Sequence, residues 1–317
     1  MLLLKRSERP QGAKAGDPNR MKDYLVRSIT DQSNVIGLAC VSTNLAGEAS
    51  LIHGTSATAS AALGRALTGA LLLSSLMKRG QRLALKFEGN GPLKKIIAEA
   101  DSEGTARGYV GVPDVEVPPK DGKLNVSGAL GKEGSLTVIK DLGLKEPYKG
   151  IVKLNTGEIA EDIAYYLAES EQVPSAVGLG VFVGGGGKVT AAGGFLVQTL
   201  FSVEDGMVDQ LIQNVRKIPF VTEILREGKT PEDILDRIFV GFPHHVIQKQ
   251  DLSLRCTCSR ERVIRALVTL GGEELKGLIS EQEKTEVTCE FCRTRYAFDR
   301  KDLEDLLQMI APTQATA

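Results

Sequence analysis

Four of the chain's five cysteines fall in two tight pairs, "CTC" at 256–258 and "CEFC" at 289–292, separated by thirty residues in the last quarter of a 317-residue chain. Any fold has to accommodate that clustering. Short-spaced pairs on two segments let each pair clasp one edge of a tetrahedral ion, and four thiolates, from Cys256, Cys258, Cys289 and Cys292, suit zinc. A stable structural disulfide pair is the weaker alternative, because no export signal or disulfide-rich framework is seen and reducing compartments keep such thiols free. The flanking pattern fits a small metal-organised domain over 251–317. Ser259 is placed to cap a helix running to Leu270, with Gly271 and Gly272 as its stop. "TEVTCEFCRTRYAF" (285–298) reads as a hairpin around the second pair, and Asp299 starts a last helix bearing Leu303, Leu306, Leu307 and Ile310. About a third of residues 251–317 are charged, so the core there is thin and leans on the metal, which in zinc-finger peptides supplies roughly 10 to 16 kcal/mol of apparent binding energy.

Upstream, the pattern mixes strand and helix. "NVIGLACVST" (34–43) and "RLALKFEG" (82–89) have the apolar, β-branched content of strands, whereas 56–80 is Ala- and Leu-rich at helical spacing and 157–170 reads as a second helix. Residues 175–200 are two apolar runs joined by four glycines, the pattern of a hairpin. The glycines are not a phosphate-binding loop: Val189 follows Lys188 where Ser or Thr is needed, residue 182 is Phe, and a strand-like segment follows where a helix should start. From residue 204 the character changes. Val208, Leu211, Ile212, Val215 and Ile218 fall on one helical face that Pro219 ends, and Thr230, Pro231 and Asp233 have the spacing of a capped start for a short helix bearing Ile234, Leu235, Ile238 and Phe239. Helices this short are marginal alone, so 204–250 is expected to be an amphipathic helical linker that depends on what it docks against.

The function classes narrow quickly. Lys and Arg (39) nearly balance Asp and Glu (40), and residues 251–317 hold ten basic against twelve acidic side chains, so no basic face favours a zinc-ribbon domain binding nucleic acid or a ribonucleoprotein, the alternative class. The most apolar helix candidate has a charge-free run only from Ala66 to Met77, short of the roughly 20 residues a bilayer span needs, so no membrane partner is expected. Residues 1–20 have too short an apolar run for an export signal and read as a disordered extension, or as a poor organellar presequence, before a core starting at residue 21. Cys40 sits alone in an apolar run as a core thiol, and His53, His244 and His245 share no ligand spacing with the cysteines. No nucleophile elbow is present, "HGTS" at 53–56 has no identifiable catalytic partner, and four thiolates close a zinc shell against hydrolysis, so no enzyme is expected.

The single residue between Cys256 and Cys258 departs from the two-residue spacing of most ribbon and finger sites. Together with "YLVRSIT" (24–30), "HGTSATASAALGRAL" (53–67), "FEGNGPLKKIIAEAD" (87–101), "VIKDLGLKEPYKG" (138–150), "SEQVPSAVGLGVFV" (170–183) and "AAGGFLVQTL" (191–200), it closely resembles the redox-regulated chaperone family known as the heat shock protein of thirty-three kilodaltons. The resemblance runs from about residue 22 to about residue 310. It implies an α+β protein with a mixed-sheet core over 21–203, the helical linker, and a zinc-binding redox-switch domain over 251–317. It further implies an ATP-independent holdase of the cytoplasm that binds unfolding client proteins and dimerises on activation. Matched residue by residue, the reduced form holds one zinc on the four cysteines, and oxidation pairs Cys256 with Cys258 and Cys289 with Cys292.

Overall fold

The computed structural model describes residues 22–32, 34–200, 205–281 and 283–310, so the expectation for residues 1–20 lies outside the described residues. The described chain falls into two compact units, one ending at Arg255 and one beginning at Cys256.

The first unit runs β1 (Tyr24–Thr30), β2 (Val35–Val41), α1 (Thr43–His53), α2 (Ala57–Ser74), β3 (Arg82–Gly89), β4 (Lys95–Asp101), β5 (Thr105–Val110), α3 (Val126–Leu130) and β6 (Gly134–Asp141). It continues through β7 (Tyr148–Lys153), α4 (Ile159–Glu169), β8 (Ser175–Val183), β9 (Val189–Thr199), α5 (Asp205–Lys217), α6 (Val221–Arg226), α7 (Pro231–Ile238), β10 (His244–Asp251) and β11 (Ser253–Leu254). The strands make two sheets, an antiparallel five-stranded one ordered β10-β1-β2-β9-β8 and a six-stranded one ordered β11-β5-β4-β3-β6-β7. The latter is antiparallel except for β11 on β5.

Helix α2 is the hub, and its sequence says why. A helix apolar all round has to be buried, and every residue of α2 except Ala57 and Arg65 is buried, in one cluster with Leu83, Leu85 and Ile96 of one sheet and Leu38, Cys40 and Leu196 of the other. Arg65 leaves that core by pairing with Glu158 at 2.8 Å. "HGTS" is the joint into this helix: Gly54 takes the left-handed conformation (φ 59°) that ends α1, and the Ser56 hydroxyl accepts the Ala59 amide as the α2 cap. The four glycines form the turn between β8 and β9, with Gly186 and Gly187 at φ 74°, as the hairpin reading expects.

Strand alternation sends the other faces of β1, β2 and β9 outward, and those faces are covered too. Val26, Val35, Ala39, Phe195 and Val197 form a second cluster with Leu211 of α5, Val221 and Ile224 of α6, and Ile234, Leu235, Ile238 and Phe239 at α7. Double coverage is why all seven residues of β2 are buried. Gly37 permits the closest approach: a methyl there would come within 2.6 Å of the Phe239 ring. The capping box on α7 is formed as read, with Thr230 and Asp233 bonding each other's amides behind Pro231. The α5 stripe needs one correction. Leu211 is buried and Val215 and Ile218 pack on the cluster, but Ile212 is 43% exposed, and Asn214 takes the buried position, donating to the carbonyls of Ile238 and Val240 at 2.9 and 2.8 Å. Beyond the helices, the same stretch continues as β10, an edge strand on β1.

The second unit holds α8 (Arg260–Val268), α9 (Gly272–Glu281), β12 (Lys284–Thr288), β13 (Arg295–Asp299) and α10 (Arg300–Ile310). The expected elements are present, and α9 is an addition: Gly271 (φ 95°) ends the preceding turn and a new helix starts at once, burying Leu275 completely. The core is small, with Leu267, Leu275, Tyr296, Phe298, Leu303 and Leu306 as its buried members and Cys258 and Cys289 packed on its margin.

Candidate metal centre

Local structure positions each cysteine. Strands β12 and β13 pair antiparallel out to Thr288 opposite Arg295, leaving Cys289 to Thr294 as the connection. That turn is closed by the Cys289 amide donating to Thr294 O (2.9 Å) and the Arg293 amide to Cys289 O (2.8 Å), with Arg293 in the left-handed region at φ 57°. Cys289 and Cys292 therefore sit together at the hairpin tip. Cys256 and Cys258 occupy the irregular stretch before α8, whose first turn is capped by the Ser259 hydroxyl accepting the Arg262 amide. Arg262 reaches back to donate to the Thr257 hydroxyl at 2.7 Å, tying "CTC" to that helix.

The four sulfurs converge, all lying within 4.8 Å of one another. Each sulfur of one pair faces one of the other, Cys256 to Cys289 at 3.8 Å and Cys258 to Cys292 at 3.3 Å. Thiolates at about 2.3 Å from a tetrahedral ion stand about 3.8 Å apart, so this donor set and spacing fit a metal ion. Among the described residues this is the one such cluster. The histidines lie elsewhere: His244 bonds Asp236 and His245 bonds Asp31, each at 3.1 Å. Cys40 is fully enclosed, and burial pushes its thiol up to about 12.

The sulfurs are not equivalent. Burial raises Cys258 and Cys289 above the ordinary thiol range. It opposes ionisation at Cys292 as well, but the Thr294 hydroxyl and amide, with the neighbouring thiols, outweigh it and hold that group at about 7. Two polar side chains that the sequence reading passed over touch the cluster. Thr294, buried, is 3.2 Å from Cys292 Sγ, and Tyr296, 6% exposed, donates its hydroxyl to Cys258 Sγ at 3.0 Å. Burial and the adjoining sulfur raise the Tyr296 phenol, so it stays protonated and remains a donor. The available signal was the alternation in "RYAF", which turns Tyr296 and Phe298 inward while Ala297 stays exposed.

A two-sheet unit with a docked helical layer and a separate small unit built around four converging thiols define a two-unit protein with a candidate metal site, and the comparisons with known proteins give its class. The Hsp33 protein family model matches residues 23–299. A 33 kDa chaperonin of Geobacter sulfurreducens is 57% identical over 284 residues, covering 90% of this chain and 94% of that protein, and one from Geobacter sp. strain M21 is 49% identical over 93% of this chain and all of that protein. The crystal structure of the 33 kDa chaperonin (heat shock protein 33 homologue) of Thermotoga maritima superposes with a TM-score of 0.85 at 38% identity, covering 91% and 99% of the two chains. The chain belongs to the Hsp33 family of chaperones, whose members are named chaperonins and not enzymes. No helix among the described residues is long and apolar enough to cross a membrane.

Proposed function

We propose that this chain is a redox-regulated, ATP-independent holdase of the cytoplasm, inactive when reduced and metal-bound and active when its two cysteine pairs are oxidised. The observation that carries the reading is the convergence of four sulfurs within 4.8 Å at the edge of a small core with six buried apolar members among the described residues. Zinc, when bound by Cys256, Cys258, Cys289 and Cys292, supplies the charge that keeps them as thiolates and ties the two segments together. Oxidation joins Cys256 to Cys258 and Cys289 to Cys292, and each bridge removes two of the four donors. The small unit then loses the interaction its thin core leans on, and its fold opens. The linker region, 204–250, ends within β10, β11 lies in the short stretch between it and Cys256, and its helices are short and held by one apolar face. Their release from the sheet exposes Ile234, Leu235, Ile238 and Phe239 together with the strand residues beneath, a surface for unfolding client proteins. The oxidised form acts as a homodimer.

The test is direct. Reduced, zinc-loaded protein and the same sample after hydrogen peroxide are compared for suppression of aggregation of a chemically unfolded client, with released zinc followed by a chelating dye. One zinc per chain released in step with gained activity is expected, without ATP. Equal activity before and after oxidation, or a chain with all four cysteines changed to Ser that still holds zinc tightly, refutes the reading.

A further inference from the structure

Tyr296 is unusual among the residues of the small core because its two ends do different things. It is a buried member of the cluster that includes Leu267, Leu275, Phe298, Leu303 and Leu306, and its hydroxyl donates to Cys258 Sγ at 3.0 Å. A ring that only filled space would be served as well by phenylalanine. Groups that hydrogen bond to metal ligands from outside the coordination shell hold those ligands in place and withdraw charge from them.

We propose that Tyr296 is the positioning residue that couples the chemical state of Cys258 to the packing of this unit, an inference that rests on the four-cysteine metal reading. In the reduced state its phenol draws electron density from the Cys258 thiolate, holding the sulfur towards the centre and slowing its attack on an electrophile. Oxidation by hydrogen peroxide then proceeds in two balanced steps. A thiolate attacks one peroxide oxygen, the O–O bond breaks, hydroxide leaves, and the sulfur becomes a sulfenic acid. The thiolate of the paired cysteine attacks that sulfur, the S–S bond forms, the S–O bond breaks, and a second hydroxide leaves. Once Cys258 lies in a disulfide, its sulfur is a poor acceptor, and the phenol is stranded inside the core without a partner. A buried hydroxyl without a partner favours opening of whatever encloses it. One hydroxyl therefore protects the thiolate before oxidation and works against the fold after it.

The two halves give opposite signs in one variant. In full-length, zinc-loaded, reduced Tyr296→Phe, N-ethylmaleimide and, separately, peroxide are applied, and each cysteine is followed by time-resolved mass spectrometry. Cys258 is expected to react about threefold faster or more relative to Cys289 in the same sample, because only its donor is gone. After full oxidation, amide exchange over 284–299 is expected to be slower in the variant than in the unsubstituted protein, since no hydroxyl is stranded. A Cys258 to Cys289 ratio unchanged within error overturns the inference, as does equal acceleration of both, the mark of a loosened fold. Faster exchange in the oxidised variant overturns the second half. If the Phe variant does not fold, the full chain with 3-fluorotyrosine, a stronger donor of the same shape, replaces it. Slower reaction of Cys258 relative to Cys289 supports the inference, and an unchanged ratio refutes it. The maleimide arm separates failures: a shifted ratio there, with no disulfide formed by peroxide, sinks the redox reading and leaves the role of Tyr296 standing.

Discussion

Replacing Phe239 by Ala tests whether the helices on the outer sheet face form a separately releasable layer. Phe239 is 2% exposed, its ring lies over Gly37 where no side chain intervenes, and it contacts the His244 ring at 4.9 Å between centroids. Truncating a buried Phe costs about 3 to 5 kcal/mol, through lost transfer energy and the cavity left behind. Here the cavity opens on Gly37, which has no side chain to collapse into it, so the upper part of that range applies. Helices of 13, 6 and 8 residues have little stability without the sheet, so the cost falls on docking. At about 1.4 kcal/mol per factor of ten, hydrogen exchange over 205–239 of the reduced, zinc-loaded protein should accelerate by roughly three to three and a half powers of ten. Exchange in β3 and β4, which pack on α2 in the inner cluster, should hardly change. The same variant should suppress client aggregation without oxidant. If β3 and β4 accelerate as much as the helices, the layer is an inseparable part of the first unit and the release argument fails.

Three further outcomes are expected. In metal-free, reduced protein, iodoacetamide should modify Cys292 first: its depressed value makes it thiolate as pH rises through about 7, whereas burial keeps Cys258 and Cys289 protonated beyond the ordinary thiol range, so all three alkylating together near pH 8 to 9 would contradict the assignment. Peroxide treatment with timed thiol trapping should show the Cys289–Cys292 bridge before the Cys256–Cys258 bridge, because a ring with one intervening residue is more strained than a ring with two; the reverse order refutes the strain argument. Asn214→Leu leaves the Ile238 and Val240 carbonyls without their donor, which should cost about 1 to 3 kcal/mol in urea unfolding of the linker region, and an unchanged midpoint would show that water replaces the amide.

What was legible in the sequence is what is local. The Thr230 to Asp233 capping box, the Ser259 cap and the hairpin around "CEFC" depend on residues within a few positions of one another, and each formed as read. The four-cysteine cluster was legible for a different reason: two tight pairs in a chain with one other cysteine leave few arrangements. What stayed hidden needed a partner distant in sequence. β10 reads "HHVIQKQD", too polar to announce a strand, and exists because β1 offers it an edge. α9 opens with Gly272 and carries Gly277 inside, so its propensity is poor, and Leu275 is what holds it to the small core. Ile212 and Asn214 exchange the roles that periodicity assigns them because α5 meets the end of α7 at Asn214, where two carbonyls need donors and an apolar side chain would leave them empty.

The placement of the cysteines also explains why the centre belongs in a poorly filled unit. A metal held by four thiolates in a large core would be a redundant brace, and oxidation would change little beyond the site. With six buried apolar members among the described residues and a charged surface, the second unit has a small reserve, so removing donors there should act on its whole fold. The sulfurs are also shared unequally between segments. Cys289 and Cys292 sit on one hairpin tip, which β12 and β13 hold through five registered pairs, whereas Cys256 and Cys258 lie outside any helix or strand, with the Arg262 contact to Thr257, the Tyr296 hydroxyl and the opposing sulfurs among their ties. Loss of the opposing sulfurs therefore frees the first segment more than the second. Under the proposed redox reading, an opening that begins in this segment, which follows directly on β11, should reach the linker before the hairpin.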